Sequence, residues 1–315
     1  MKSTLIRIFK HLFPVIWDQY CESRYRKQKI TSIAIGNFEI SIPDRHILVG
    51  LQASEPFRDG GLGLAAKHLS KKYPDKTMID IGANIGDTAA MIATHALNPL
   101  VLVEPSDYFF SFLEKNVTRF PNKTTLVNGF VNDGTAIKGS LHHWLGTAEV
   151  LPASDSLLAE KSIRLDELSP RDVCLIKTDT DGYDYKIVSA GMDYIAVQKC
   201  AVFIEVQVKN TDETVEACCM FKSLSQNGFN RFLVWDDAGW LVLTSDDVNI
   251  LIDLVYYLDS IARFHTRQSI YNYDVLCLHE NDSDIATSIV TDHHAAVGSN
   301  IKTKDLSPSN PHHSI

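Results

Sequence analysis

The stretch Met78–Ala89, MIDIGANIGDTA, constrains this chain more than any other. Thr77, Met78, Ile79 and Ile81 surround Asp80 with apolar or β-prone residues and read as a strand. Gly82-Ala83-Asn84-Ile85-Gly86 then forms a tight turn, and Asp87 to Ala96 continues as a helix. Glycine tolerates backbone conformations that other residues avoid. A turn of this kind therefore brings N–H groups and a helix N-terminus against a ligand.

The 315 residues suffice for one large α/β domain with additions. At 45% hydrophobic and 22% charged, the composition is that of a globular protein. The net charge of −9 argues against nucleic acid as the main substrate. The six cysteines, Cys21, Cys174, Cys200, Cys218, Cys219 and Cys277, show no C-x-x-C spacing. Cys174, Cys200 and Cys277 fall in or beside apolar runs, so buried reduced thiols are expected. No apolar run is long and charge-free enough to span a bilayer. Arg7 and Lys10 interrupt the apolar stretch near the N-terminus, which disfavours secretion, so a cytoplasmic location is expected.

Residues 1–29 carry seven Lys or Arg against Asp18 and Glu22. Leu5, Ile8, Phe9 and Leu12 lie at helical spacing, interrupted at Pro14. Packing on the protein's own body is the favoured role of that helix. A weak peripheral contact with the inner, anionic face of a membrane is the second. Ile30–Ile42 alternates around Gly36-Asn37 as a β-hairpin. Residues 51–63, with three glycines, read as a loop before a short helix Leu64–Lys72. From Lys76 onward strands and helices alternate: strands at Thr77–Ile81, Leu100–Val103, Thr124–Val127, Val173–Ile176 and Ala201–Val206. Between them come helices at Asp107–Arg119, capped by Ser106, and at Asp184–Ala190, closed by Gly191. Asp133–Leu165 reads as an inserted hairpin or loop. A helix Thr214–Leu224 and strands at Arg231–Trp235, Leu241–Thr244 and Tyr273–Leu278 complete the pattern. The expected architecture is α/β, a mostly parallel sheet with helices on both faces. Residues 1–75 form an N-terminal addition, 76–280 the core domain, and 281–315, rich in Ser, Asp, Thr, Asn and His, a disordered tail. The pairs His293-His294 and His312-His313 lack ligand-spaced partners, and no metal site is assigned.

Ligands of such sheets lie beyond the carboxyl ends of the strands. The first turn, D-x-G-x-N-x-G, does not fit the dinucleotide spacing G-x-G-x-x-G. It suits S-adenosylmethionine, whose amino-acid end wants backbone amides for its carboxylate and a carboxylate near its ammonium. Gly82, Ala83, Asn84 and Gly86 supply the turn, and Asn84 tolerates a positive φ. Asp80 supports the turn close to the ammonium, and Asp87 and Thr88 open the helix, where a side-chain cap is expected. Glu104, followed by Pro105, ends the second strand 22 positions after Gly82 and can accept both ribose hydroxyls. Asn128 and Gly129 follow the third strand and join this set. The fourth strand runs into Lys177-Thr178-Asp179-Thr180-Asp181-Gly182-Tyr183, dense in ionisable groups, and Glu205 nears the end of the fifth.

Taken together, IDIGANIGDTA, VEPS, SIRLDEL, LIKTDTDGYDYKIVSAG and FIEVQ resemble the FkbM-family methyltransferases over about Ile33 to Leu278. Asp181 and Asp184 stand where that family often has Glu. The resemblance implies a class I, Rossmann-like methyltransferase fold with S-adenosylmethionine as cofactor. It also implies O-methylation of a hydroxyl on a sugar, glycoconjugate or secondary metabolite, a small-molecule or glycan acceptor. Such a hydroxyl needs a proton acceptor, for which Asp179 and Asp181 are the choices, with Lys177 tuning their charge. Asp179 could instead meet the cofactor ammonium, or Asp179, Asp181 and Glu205 could hold a divalent ion. Tyr183, Glu205, His143 and Trp144 are the substrate-side residues, with Trp235 as a further stacking face. A NAD-dependent oxidoreductase or epimerase is the alternative, opposed by the missing G-x-G-x-x-G. A catalytically silent, membrane-associated member of the fold is a third, opposed by the intact Asp80, Glu104 and Asp179.

Overall fold

A computed structural model describes residues 29–305, apart from 56, 136–139, 145, 152–161, 169–171 and 265–269. The expected N-terminal helix lies outside the described residues. Strands β1 (Ile30–Ile35) and β2 (Phe38–Pro43) form the hairpin that the spacing predicts, turning at Gly36-Asn37. Helices α1 (Leu48–Ser54) and α2 (Gly60–Lys72) follow. Here the expected loop over 51–63 is corrected, because α2 begins at Gly60. Its glycines permit close packing: a Cβ on Gly61 would come within 2.7 Å of the Trp235 indole, and one on Gly63 within 2.8 Å of His95.

The first half of the core contains β3 (Thr77–Ile81), α3 (Asp87–His95), β4 (Leu100–Val103), α4 (Asp107–Asn116) and β5 (Thr124–Val127). Ser106 caps α4 as expected, accepting the Phe109 N–H at 3.3 Å. The insertion holds β6 (Phe130–Asn132), the hairpin β7 (Ser140–Trp144) and β8 (Thr147–Leu151), then β9 (Ser162–Arg164) and α5 (Leu165–Leu168). Strand β6 pairs in parallel with β9. The second half comprises β10 (Val173–Thr178), α6 (Asp184–Ala190), α7 (Met192–Gln198), β11 (Ala201–Val206) and α8 (Thr211–Gln226). It closes with β12 (Phe229–Asp236), β13 (Leu241–Ser245), α9 (Val248–Phe264), β14 (Tyr273–His279) and α10 (Ser283–Asp305). Helix α9 is not among the expected elements, although Leu251, Val255 and Leu258 give it a buried stripe at helical spacing.

The sheet order is β13-β12-β14-β11-β10-β3-β4-β5. From β5 to β11 every pairing is parallel, and β14 inserts antiparallel between β11 and β12. This is the expected α/β, class I methyltransferase-like fold. Its strands read as continuous apolar runs because both faces are covered. Met78, Leu102, Leu175, Phe203 and Leu276 face α2, α3, α4 and α10, while Ile79, Val101, Ile176, Val202 and Val275 face α6, α7, α8 and α9.

The expectation of disorder from residue 281 is corrected over Ser283–Asp305, which is α10. Ile285, Ala286 and Ile289 make a narrow buried stripe. Asp292 pairs with Lys67 at 2.8 Å and His68 at 2.9 Å, and Lys72 reaches Asp284 at 2.8 Å, fastening α10 to α2. A polar composition concealed a helix that needs only three apolar positions. Cys174, Cys200 and Cys277 are buried free thiols, as their surroundings predict.

The chain runs outward from β3 to β5 and then crosses back to β10. Neighbouring carboxyl ends of β3 and β10 thus form the switch point where this fold opens a crevice.

Candidate functional site

Two loops meet at that switch point. Gly82, at φ 77°, lies so close to the loop after β10 that a Cβ would overlap the Asp179 carbonyl oxygen. The N–H groups of Gly82 and Ala83 both donate to Val103 O, at 3.0 and 2.9 Å, tying the turn to the end of β4. Asn84 holds φ 47°, as its tolerance of the left-handed region predicts.

Asp80 supports the turn, as expected, and does so from beneath it. It is buried rather than lining the cavity. The Lys177 Nζ stands 3.0 Å from its Oδ1, and Thr88 Oγ1 donates to its Oδ2 at 2.6 Å. Register explains the contact, since Asp80 pairs with Lys177 across β3 and β10, and paired residues share a face. The expected side-chain cap on α3 is also corrected. Gly86, at φ 92°, is the N-cap, and Thr88 turns inward to Asp80 instead. Asp87 makes no cap bond; burial and the nearby Asp59 carboxylate push its carboxyl up to about 7.

Glu104 stands where the sequence places it, at the end of β4. Its Oε2 accepts the Asn84 N–H at 2.9 Å and its Oε1 the Ser106 N–H at 2.8 Å. Burial pushes its carboxyl up to about 7, although both N–H donors pull the other way. Each oxygen keeps a further lone pair for a ligand hydroxyl.

A cavity of about 610 Å³, open to solvent, lies over these groups. Of the predicted cofactor residues, Gly82, Asn84, Glu104, Pro105 and Gly129 line it. Asp80, Ala83, Gly86, Asp87, Thr88 and Asn128 do not, and support the turn or adjoin the wall. Asn128 keeps a buried Nδ2 with no hydrogen-bond partner. Phe109, Phe130, Val131, Ala148 and Ile187 also line the cavity and were not anticipated. Phe130 and Val131 follow directly on Asn128-Gly129, a position from which they were within reach of the strand-end rule.

Asp179, Asp181 and Tyr183 line the same cavity from the loop after β10. Lys177 lies inside the fold, 3.6 Å from Asp179 Oδ2, and donates to Gly82 O at 3.2 Å. Burial alone would lower its ammonium; the Asp80 and Asp179 carboxylates hold it above the ordinary lysine range. It forms ion pairs with Asp80 and Asp179. Asp181 sits at φ 55°, and its carboxyl is pushed up to about 6 by burial and then by Asp179. Asp184 turns into the fold, where it accepts Thr178 Oγ1–H at 2.7 Å.

Glu205 lies on the face shared with Asp274, opposite it in the ladder, and accepts Asn272 Nδ2–H at 2.7 Å. Burial and then Asp179 push its carboxyl well above the usual range. Among the described residues no three His, Cys, Asp or Glu side chains converge as metal ligands, so Asp179, Asp181 and Glu205 do not form an ion site. His143 and Trp144 belong to β7, and their side chains lie outside the described residues. Trp235 is corrected as a stacking face: it is 1% exposed, packed on Gly61 with its ring 5.9 Å from Phe203.

The β7–β8 hairpin reaches the cavity wall at Ala148. Asn84 Nδ2 donates to Gly146 O at 2.7 Å, and Gly146, at φ 115°, lies against the His46 ring. Burial pushes the His46 imidazole down to about 4, so it is neutral at physiological pH.

No protein-family model matches the sequence, and no curated protein matches it. Among solved structures the chain is similar to methyltransferase FkbM from Methylobacillus flagellatus KT, at 14% identity over 64% of this chain and 43% of that one, TM-score 0.35. The chain thus spans less than half the length of that protein. It is similar to precorrin-6y C5,15-methyltransferase from Geobacter metallireducens GS-15, at 13% identity, 69% and 87% coverage and TM-score 0.35. It is also similar to M. jannaschii TYW2 in complex with AdoMet, at 10% identity, 80% and 86% coverage and TM-score 0.39. Likeness at this level says nothing of acceptor or chemistry.

Proposed function

We propose that the chain is an S-adenosylmethionine-dependent methyltransferase acting on the oxygen of a hydroxyl, on a sugar, glycoconjugate or secondary metabolite. The observation that carries this reading is Glu104, at the end of β4, facing the cavity beside a glycine turn that a side chain would block. A dinucleotide would need a pyrophosphate cradle that the turn's spacing does not offer. The residues present fit the smaller cofactor. Glu104 has lone pairs for two ribose hydroxyls, and the partnerless Asn128 Nδ2 beside Gly129 is a donor awaiting an acceptor. Asn84 and Gly82 shape the amino-acid end, and Asp179, beside the turn, takes the ammonium.

When bound, the cofactor supplies an electrophilic methyl group. The chain's own part is to align the acceptor and to take its proton, since positioning supplies much of the rate of an in-line displacement. Asp181 is the base in this reading. Its carboxyl, raised to about 6, remains ionised near neutral pH yet is a stronger base than an ordinary aspartate. It would accept the hydroxyl proton on a carboxylate oxygen as the new C–O bond forms and the methyl–sulfur bond breaks, adenosylhomocysteine being the leaving group.

Transfer of label from methyl-labelled S-adenosylmethionine into pools of hydroxylated small molecules tests the reading. Asp181→Asn is expected to cut transfer by about 10²- to 10⁴-fold with little change in adenosylhomocysteine affinity. Full transfer by that variant refutes the base assignment, and label appearing only as N-methyl product refutes the choice of oxygen.

A further inference from the structure

Away from the cofactor cavity, a groove of about 570 Å³ opens between the β1–β2 hairpin and helices α1 and α3. Its apolar lining is Ile33 and Ile35 of β1, Leu48 of α1 and Met91 of α3. Ile33, Ile35 and Met91 are only half-buried, and Ile47 and Val49, which flank Leu48, are 46% and 40% exposed. Contiguous apolar surface of this kind marks a place where something packs. The polar side of the groove is acidic: Glu55 and Asp59 outnumber Arg58, whose Nη1 donates to Glu55 Oε2 at 2.8 Å.

The described chain starts at Lys29, four residues before the groove wall at Ile33. Ahead of it run the residues whose stripe Leu5, Ile8, Phe9 and Leu12 fits one face of a helix. Residues 15–29 between stripe and strand can span up to about 50 Å, so the stripe reaches the groove with slack. Charge favours the meeting. Residues 1–29 carry seven Lys or Arg against two acids, a net +5, and the whole chain −9, so residues 30–315 carry −14. A tether of this length also holds the stripe at an effective concentration on the order of millimolar, so a modest apolar contact prevails over a partner in trans.

We propose that the groove is the seat of the chain's own N-terminal segment. The stripe Leu5, Ile8, Phe9 and Leu12 packs on Ile33, Ile35, Leu48 and Met91, with the segment's basic side chains toward Glu55 and Asp59.

Full-length protein with 13C at its methionine methyl groups provides the test, the Met91 resonance being assigned from Met91→Leu. A nitroxide is attached at His11→Cys, off the apolar stripe, in a background of Cys21→Ser and Cys219→Ser, since Cys219 is exposed. Met91 is expected to lose most of its signal and to recover it on reduction with ascorbate. Met192 and Met220, packed on the opposite face of the sheet, should stay sharp and report that each variant is folded. Adding Ile8→Asp and Phe9→Asp should return Met91 to full intensity. Full Met91 signal in the first spin-labelled protein overturns the proposal, as does a loss that survives those two substitutions. Loss that appears when spin-labelled protein without 13C is mixed with 13C protein without nitroxide overturns it too, and gives the groove to a second copy. Met91 left sharp, with the protein co-sedimenting on vesicles of phosphatidylcholine and phosphatidylglycerol, gives the segment to a membrane surface instead.

Discussion

Lys177 and Asp80, 3.0 Å apart and almost wholly buried, are the ion pair on which the turn rests. Removing one member leaves the other charged and desolvated. Lys177→Met is therefore expected to cost about 3–5 kcal/mol of stability. Asp80→Asn should fall in the same range, and the double variant should lose less than the sum, because the two share one interaction. Urea unfolding of the three proteins measures this, and additive losses would disprove the coupling. Residue identities at this site were legible in the sequence: Gly82, Asn84, Glu104, Asp179 and Asp181 all border one cavity. What was not legible is which side of a turn a carboxylate takes. Asp80 faces inward because strand register sets it beside Lys177, and register between β3 and β10 is a tertiary fact. Trp235 is buried rather than exposed for a similar reason, since Gly61, on which it packs, lies far away in sequence.

At the scale of elements, the β7–β8 hairpin is the part most exposed to perturbation. It is held by the Asn84–Gly146 hydrogen bond and by the fit of Gly146 against His46. Gly146→Ala meets both a φ of 115° and an imidazole 2.7 Å from the new Cβ. Strain of about 1–3 kcal/mol is expected, relieved by lifting the hairpin and with it Ala148 from the cavity wall. Stopped-flow displacement should show faster release of adenosylhomocysteine, and an unchanged rate would mean the hairpin does not retain the ligand. Elements with a strong internal signature were legible: the β1–β2 hairpin, the Ser106 cap and the insertion hairpin. Helices α2 and α10 were not. Glycines in α2 look like breakers until their packing partners are known, and α10 buries too narrow a stripe to stand out from polar surroundings.

For the whole molecule, alternating apolar strands and helices were enough to predict a mostly parallel, doubly covered sheet. The antiparallel insertion of β14 between β11 and β12 was not, because a short apolar strand carries no mark of its direction. The architecture brings Glu104 to the switch point, and Glu104 carries the cofactor reading. Its carboxyl, raised from 4.5 to about 7, gives two pH effects of opposite sign. The folded chain binds the proton more tightly, so the ligand-free protein loses stability as pH rises through about 7. Ribose hydroxyls donate best to the ionised form, so affinity rises over the same interval. Calorimetric titration of the full chain with adenosylhomocysteine at pH 6 and pH 8, beside Glu104→Gln and beside NAD, is the most direct test. The expected result is one-to-one binding, tighter at pH 8, weakened by about ten- to a hundredfold in Glu104→Gln, and absent for NAD. Failure to bind adenosylhomocysteine, or binding indifferent to both pH and Glu104, would contradict it.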